Sequence, residues 1–290
     1  MLPIDDPDDP RLDRFRGLID RGDRHDADDF FVESETAVAR LLASPHFATR
    51  CVLGTAAHLA RLAPPCPTYS VTRELLRAVL GFDLHRGVIA CAARPPQLSP
   101  QLAFTRGPIG PVIGVASPVP GAISDVPEDS LRAALARPRW TALLVQGLAD
   151  PQNLGSILRS ARAFAVDLVL LDRRGADPLS RRAVRSAMGH GFTQPLALVD
   201  DLPAALAQLK RLHRDVAVWA ATVSPRARPL ASLTRPDRLV LLVGNEGVGL
   251  PAALCASADA EVTIPISPEV DSLGVAAATA ILLHALTSGI

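Results

Sequence analysis

Along this chain, short runs of consecutive apolar residues alternate with stretches whose apolar residues recur every three or four positions, the signature of strands and helices in succession. The alternation occurs in two blocks. In the first, 31–32 reads as a strand, 35–43 as a helix carried by Val38, Leu41 and Leu42, and 51–53 as a strand. A helix over 56–62 is stopped by Pro64 and Pro65, and a strand over 69–71, a helix over 72–80 and a buried strand over 87–93 follow. The second block has helices over 131–136, 154–165, 201–212 and 274–286, and strands over 141–145, 168–171, 216–220, 238–243 and 261–264. Strands that are apolar throughout and separated by helices predict a parallel sheet covered on both faces. Between the blocks the chain is crowded with proline and glycine (RPPQLSP, GPIGPVIG, SPVPG), which marks a linker with one candidate edge strand at 112–116. The expected organisation is an acidic N-terminal arm (1–24), a small α/β unit (25–95), a linker acting as a hinge (96–128) and a larger α/β unit (129–290).

Composition narrows the class. With 48% hydrophobic and 21% charged residues the chain is globular. Thirty basic residues against thirty acidic ones exclude a protein held to nucleic acid by bulk charge alone. The distribution is less even than the total, because 159–185 holds Arg159, Arg162, Arg173, Arg174, Arg181, Arg182 and Arg185 against three aspartates. Neutrality overall is therefore compatible with one basic face. Only Lys210 among the basic residues is lysine, a bias that codon usage in a G- and C-rich genome produces and that also suits bidentate phosphate contacts. Four cysteines with no CxxC pair exclude a disulfide framework and a zinc ribbon, and the histidines show no metal-ligand spacing. An acidic start without a targeting pattern, and a longest apolar run of 274–286 interrupted by His284, point to a soluble cytoplasmic protein with no membrane partner.

Ligands of open α/β sheets bind at the carboxyl ends of the strands, and three segments there carry unusual residues. The first, 147–159 (GLADPQNLGSILR), places Asn153 as a candidate helix cap, Gly155, and Arg159 at a helix start. The second, 243–251 (VGNEGVGLP), has three glycines in six residues with Glu246 among them. Its glycine order is GxxGxG, which is neither a dinucleotide fingerprint nor a P-loop and disfavours a nicotinamide-dependent oxidoreductase. A carboxylate there suits a neutral or cationic ligand better than a phosphate. The third, 264–278 (IPISPEVDSLGVAAA), leads through Ser272, a candidate cap, into a helix rich in small residues.

Asn153-x-Gly155-x-x-x-Arg159, Gly244-Asn245-Glu246-Gly247 with Gly249-Leu250, and Ile264-Pro265-Ile266 with Ser272-Leu273 resemble, in order and spacing, the three motifs of the SpoU/TrmH family of RNA 2′-O-ribose methyltransferases. Arg185-Ser186-Ala187-Met188-Gly189 resembles that family's Arg-x-Ser-x-Gly segment, and residues 31–33 through 86–90 resemble its small RNA-substrate-binding domain. The resemblance implies a SPOUT α/β fold with a deep trefoil knot at the C-terminus, a homodimer formed through the knotted domain, and S-adenosylmethionine as cofactor with S-adenosylhomocysteine as product and no metal. It assigns Gly244, Ile264, Ile266, Leu273, Leu250 and Thr222 to the cofactor, and Asn153, Arg159, Glu246 and Ser272 to the catalytic face. Arg173, Arg174, Arg181, Arg182 and Arg185 are the expected RNA contacts, and ribosomal RNA is favoured over transfer RNA as substrate. A guanidinium stays protonated near neutral pH, so Arg159 is read as holding phosphate and stabilising a developing 2′-alkoxide rather than as a base. One position departs from the family pattern: Gly274 stands where the third motif usually has asparagine, which leaves Asn245 as a candidate substitute amide. The departure keeps a second reading open, an RNA-binding or ribosome-assembly protein of the same fold with reduced or lost catalysis.

Overall fold

The structure is a computed structural model that describes residues 1–18, 28–84, 86–95 and 128–287. The linker 96–127, with its candidate strand at 112–116, lies outside the described residues.

Two sheets organise the chain. The first contains β1 (Leu2–Pro3), β2 (Asp29–Glu33), β3 (Thr49–Gly54), β4 (Thr68–Ser70) and β5 (Val88–Ala93) in the order β1-β4-β3-β5-β2. β1, β4 and β3 are mutually parallel, whereas β5 runs antiparallel to β3 and β2. Its helices are α1 (Glu35–Ala43), α2 (Ala56–Leu62) and α3 (Arg73–Leu80). Helix starts follow local capping: Ser34 Oγ accepts from Ala37 N at 3.3 Å, and Thr72 Oγ1 from Leu75 N at 3.2 Å. Alternation then sorts the strands into two faces. Phe31, Leu53 and Ile89 face Leu76, Val79 and Leu80 of α3, while Phe30, Val32, Val52 and Val88 face α1 and the rest of the molecule.

The expected acidic arm does not hang free. Leu2 and Pro3 pair with Tyr69 and Ser70, and a short 3-10 helix, Pro10–Phe15, buries Leu12 and Phe15 on the α3 side of the sheet. Leu12 and Phe15 are spaced by three, so in a helix of three residues per turn they share one side, and Leu18, beyond the helix end, joins the same cluster. Burial of each such side chain contributes about 1.5–3 kcal/mol, enough to hold a segment whose other residues are polar.

The second sheet has seven parallel strands in the order β10-β12-β9-β11-β6-β7-β8. These are β6 (Trp140–Val145), β7 (Leu168–Asp172), β8 (Leu196–Val199), β9 (Ala217–Ala221), β10 (Arg228–Pro229), β11 (Arg238–Val243) and β12 (Ala260–Thr263). The helices are α4 (Glu128–Ala134), α5 (Pro151–Ala163), α6 (Arg181–Ser186), α7 (Leu202–Leu212), α8 (Ala252–Ala256) and α9 (Val275–Thr287). Leu143, Val145, Val169, Leu171, Leu239 and Leu241 meet α5 and α9 on one face; Ala142, Leu144, Leu168, Leu170, Val240 and Leu242 meet α4 and α7 on the other. Burial on both faces explains the unbroken apolar runs. Among the described residues no helix is long and apolar enough to cross a membrane.

The two sheets share a core. Phe30, Phe47 and Phe192 form one aromatic cluster with ring centroids 5.1–5.9 Å apart, joining β2 and the segment after α1 to the turn before β8. Arg94 grips Asp177 through two hydrogen bonds of 3.1 and 2.8 Å, with side chains only 2% and 3% exposed. Arg181 Nε donates to Glu33 at 2.6 Å, and its guanidinium lies 4.3 Å from the Phe82 ring centroid. Ser44 Oγ donates to Phe192 O at 3.1 Å, and Arg40 Nη1 to Met188 O at 2.5 Å. These contacts are not those of units free to swing about a hinge.

Candidate active site

The carboxyl ends of β9, β11 and β12 and the start of α9 enclose a cleft of ≈ 400 Å³. Thr222, Gly244, Glu246, Ile264, Ile266, Ser272 and Leu273, all expected at the site, line it. Val243, Val262 and Leu282, which are buried, supply an apolar floor. A cleft of this size, mostly apolar and with a few polar groups at its mouth, is the ordinary form of a small-molecule site.

One wall is the glycine loop after β11. A Cβ on Gly244 would sit 2.4 Å from Gly249 C and 2.5 Å from Leu250 N, so only glycine lets the loop close on itself. Asn245 holds it shut. Its Oδ1 accepts from Gly247 N at 2.7 Å and Val248 N at 3.2 Å, while its Nδ2 donates to Gly147 O at 2.8 Å. Asn245 therefore does not replace the asparagine missing at position 274, because both ends of its amide are committed to the loop. Leu250 is not in the cleft wall; it packs on the opposite face of the sheet.

Asn153 and Glu246 meet directly, with Nδ2 donating to Oε1 at 2.7 Å. Asn153 does not cap α5. Asp150 does, accepting from Gln152 N at 2.9 Å ahead of Pro151, which leaves the Asn153 amide available to the glycine loop. Gly155 permits close packing of α5 on α6, since a Cβ there would lie 2.2 Å from Ala183 O and 2.7 Å from Ser186 Cβ. Arg159 is exposed, lines no part of the cleft and makes no ion pair or side-chain hydrogen bond among the described residues. Six residues beyond Asn153 it stands roughly 9 Å further along the helix axis. The structure thus joins Glu246 to Asn153 and leaves Arg159 apart from both.

The third segment forms the opposite wall. Ser272 is exposed and does not cap α9, because Ala278 N donates to Gly274 O at 2.9 Å and puts Gly274 at the cap position. A Cβ on Gly274 would meet nothing within 4 Å. Thr222 is tied into the β9 end: its N–H donates to Val262 O at 3.0 Å, and its Oγ1 accepts from Ser224 N at 2.8 Å.

The expected RNA-contacting arginines are dispersed. Arg173, 2% exposed, pairs with Asp200, and Arg181 is engaged with Glu33 and Phe82 between the two sheets. Their charges are spent inside the fold because the neighbouring sheet and loop supply carboxylates that the local sequence does not reveal. Arg174, Arg182 and Arg185 are exposed. Among the cleft residues that escaped sequence reasoning are Val223 and Val248, 76% and 88% exposed at the mouth, and Thr279, fully buried with its hydroxyl donating to Val275 O at 2.7 Å. Val248 lies between two glycines of the loop, a position that alone signalled exposure; nothing local marked the other two.

Residues 141–284 match the model of the SpoU rRNA Methylase family. A tRNA/rRNA methyltransferase of Mycobacterium tuberculosis, itself uncharacterised, is 36% identical over 295 aligned positions, covering 97% of this chain and 90% of the relative. The 23S rRNA (guanosine(2553)-2′-O)-methyltransferase RlmP of Bacillus subtilis is 34% identical over 57% of this chain and 63% of its own length. Among solved structures, an AdoMet-bound rRNA methyltransferase from Sinorhizobium meliloti superposes with a TM-score of 0.68 at 21% identity, covering 97% of this chain and 95% of that one. This likeness establishes a shared α/β fold.

Proposed function

Because this chain belongs to the SpoU rRNA methylase family, we propose that it transfers a methyl group from S-adenosylmethionine to the 2′-hydroxyl of a ribose in RNA. The substrate class is ribosomal RNA. The observation that carries the reading is the convergence of Gly244, Glu246, Ile264, Ile266 and Leu273 on one cleft, with Asn153 bound to the carboxylate at its edge. The fit to the cofactor is chemical: ≈ 400 Å³ with an apolar floor, backbone groups at strand ends, and a carboxylate rather than an arginine facing the space. When bound, S-adenosylmethionine supplies an electrophilic methyl on a positively charged sulfur.

The chain's own groups then have distinct tasks. Backbone N–H and C=O groups around Ile264, Ile266 and Leu273 hold the adenosine part, and the Gly244 turn allows close approach. Glu246 favours a cationic ligand over an anionic one and fixes the Asn153 amide toward the cleft. Ser272, exposed on the far wall, offers a hydroxyl to the entering ribose. Arg159, exposed on α5 outside the cleft wall, holds RNA phosphate. Positioning of two reactants supplies much of the acceleration.

The same reading makes the active form a homodimer through the C-terminal unit, with the segments from β11 to α9 as the knotted part. Helix α9 leaves Ala277, Ile281 and Ala285 exposed along one stripe, the kind of face a second copy covers. The deciding experiment is transfer of labelled methyl from S-adenosylmethionine into ribosomal RNA, followed by alkaline hydrolysis. A 2′-O-methylated linkage survives alkali as a labelled dinucleotide; label recovered in single nucleotides would mean a methylated base and sink the assignment. One observation favours a second reading: Gly274 offers no side chain and Asn245 is committed to its loop, so a non-catalytic RNA-binding protein is the outcome if cofactor binds and no label is transferred.

A further inference from the structure

The turn formed by Met188 to Phe192 is wedged between the two halves of the molecule. Met188 and Gly189 both have left-handed backbones (φ 51° and 75°), which turns the chain sharply after α6. On one side a Cβ on Gly189 would lie 3.0 Å from Ala37 Cα of α1; on the other, one on Gly191 would lie 3.6 Å from Leu158 Cδ1 of α5. The wedge sets His190 among three arginines from two elements far apart in sequence. Arg40, in the last turn of α1, reaches across to donate to Met188 O at 2.5 Å. Arg159 and Arg162 are exposed and three residues apart on α5, hence on one face.

We propose that Arg40, Arg159 and Arg162, gathered around His190, form a single cationic saddle that binds the phosphate backbone of the RNA strand whose ribose enters the cleft. This rests on the RNA methyltransferase reading above and deepens it by assigning the phosphate site to both halves of the molecule. Three observations support it. Arg159 and Arg162 make no ion pair among the described residues. Nearby carboxylates are engaged elsewhere: Glu33 with Arg181, Glu35 with Arg61 at 2.8 Å, and Glu246 with Asn153. Burial first, and then the charges of Arg40, Arg159 and Arg162, hold the His190 imidazole below its usual pKa, as expected where several cations crowd one spot without an anion. Arg159 and Arg162 also lie roughly 9 and 14 Å along α5 from Asn153, within reach of phosphates flanking a nucleotide at the cleft. The saddle replaces part of the arginine set expected from sequence, two of whose members are spent inside the fold.

The test is binding of a fluorescein-labelled single-stranded RNA oligonucleotide of mixed sequence to the full chain, read by anisotropy across a series of KCl concentrations. Arg162→Gln, at an exposed member with no ion pair among the described residues, and Arg40→Gln are each expected to weaken binding about three- to tenfold and to flatten the salt slope by about 0.7 per charge removed. Arg73→Gln and Arg77→Gln, exposed on α3, are expected to leave both unchanged. Calorimetric titration with S-adenosylmethionine accompanies each variant and is expected to be unaffected. If the unsubstituted protein binds cofactor and salt-sensitively binds RNA, yet Arg162→Gln and Arg40→Gln keep the full slope, the saddle is wrong and the functional reading stands. RNA binding absent from the unsubstituted protein overturns both.

Discussion

The seam between the two sheets and the glycine-loop wall of the cleft use polar groups in opposite ways. At the seam, Arg94 and Asp177 are removed from water and joined by a fork of two hydrogen bonds, and Asp177 Oδ1 also accepts from Leu179 N at 2.9 Å. At the cleft, Asn245 and Glu246 remain near solvent; Asn245 makes three bonds to backbone groups, and Glu246 makes one side-chain bond to Asn153. A buried charge cannot exchange its partners for water, so the seam favours one arrangement. A loop at the surface can exchange its bonds for water, so the cleft wall is free to part and close around a ligand. The difference teaches that the junction, where a hinge was expected, is tied by buried charges, whereas the wall meeting the ligand is held by bonds that water can replace.

The largest effect should come from splitting the seam. Arg94→Ala removes the guanidinium that faces the buried Asp177 carboxylate and is expected to cost about 3–5 kcal/mol, read by urea unfolding. Replacing both partners, Arg94→Met with Asp177→Leu, should recover most of that loss; equal destabilisation by single and double variants would show that the pair's charges are not what matters. Next in size is Gly155→Ala. Its Cβ would collide with a backbone carbonyl rather than a flexible side chain, so α5 and α6 must separate, at an expected cost of about 1–3 kcal/mol. An unchanged midpoint would mean that the helices already pack more loosely.

These two sites also show what local sequence can reveal. Helices 35–43 and 56–62 and the strand 238–243 fall where the apolar rhythm puts them, because capping and periodicity act within a few residues. β8 was missed because Leu196–Val199 is four residues behind a proline, and α6 because six residues are too few to display a helical period. The seam is a different matter. Arg94 finds its partner 83 positions away and Arg40 its acceptor 148 away, and no short-range pattern records such pairs. The candidate site divides along the same line. The glycines and strand ends of the cleft are contiguous and were readable; that Asn245 is consumed by Gly147, 98 positions off, was not.

A smaller effect is expected at the cleft wall. Asn245→Ala removes three hydrogen bonds from a loop that is largely solvated, so stability should fall by only about 1 kcal/mol. Affinity for S-adenosylmethionine should fall about tenfold, because the loop must then be ordered at the moment of binding. The ratio of the two losses is the informative quantity, since the seam variants should show the reverse: large losses of stability and little change in cofactor affinity per folded molecule.

The smallest structural effect belongs to Gly274→Asn, which for that reason gives the cleanest reading of chemistry. Gly274 occupies the cap of α9, its backbone is not left-handed, and a side chain there meets open space. Asparagine at a helix cap accepts a hydrogen bond from the first turn and exceeds glycine by only a few tenths of a kcal/mol. Thermal unfolding should therefore be almost unmoved. Any change in methyl transfer then reports the amide itself, beside Ser272 at the cleft wall, and not a rebuilt wall. With Asn153 already presenting an amide held by Glu246, the unsubstituted protein is expected to transfer methyl, and the added asparagine to change turnover by less than about tenfold, under 1.4 kcal/mol of barrier. A silent parent that the single substitution switches on would show that glycine at this cap had removed the reaction while sparing the fold, since the cap tolerates either residue and only the chemistry distinguishes them.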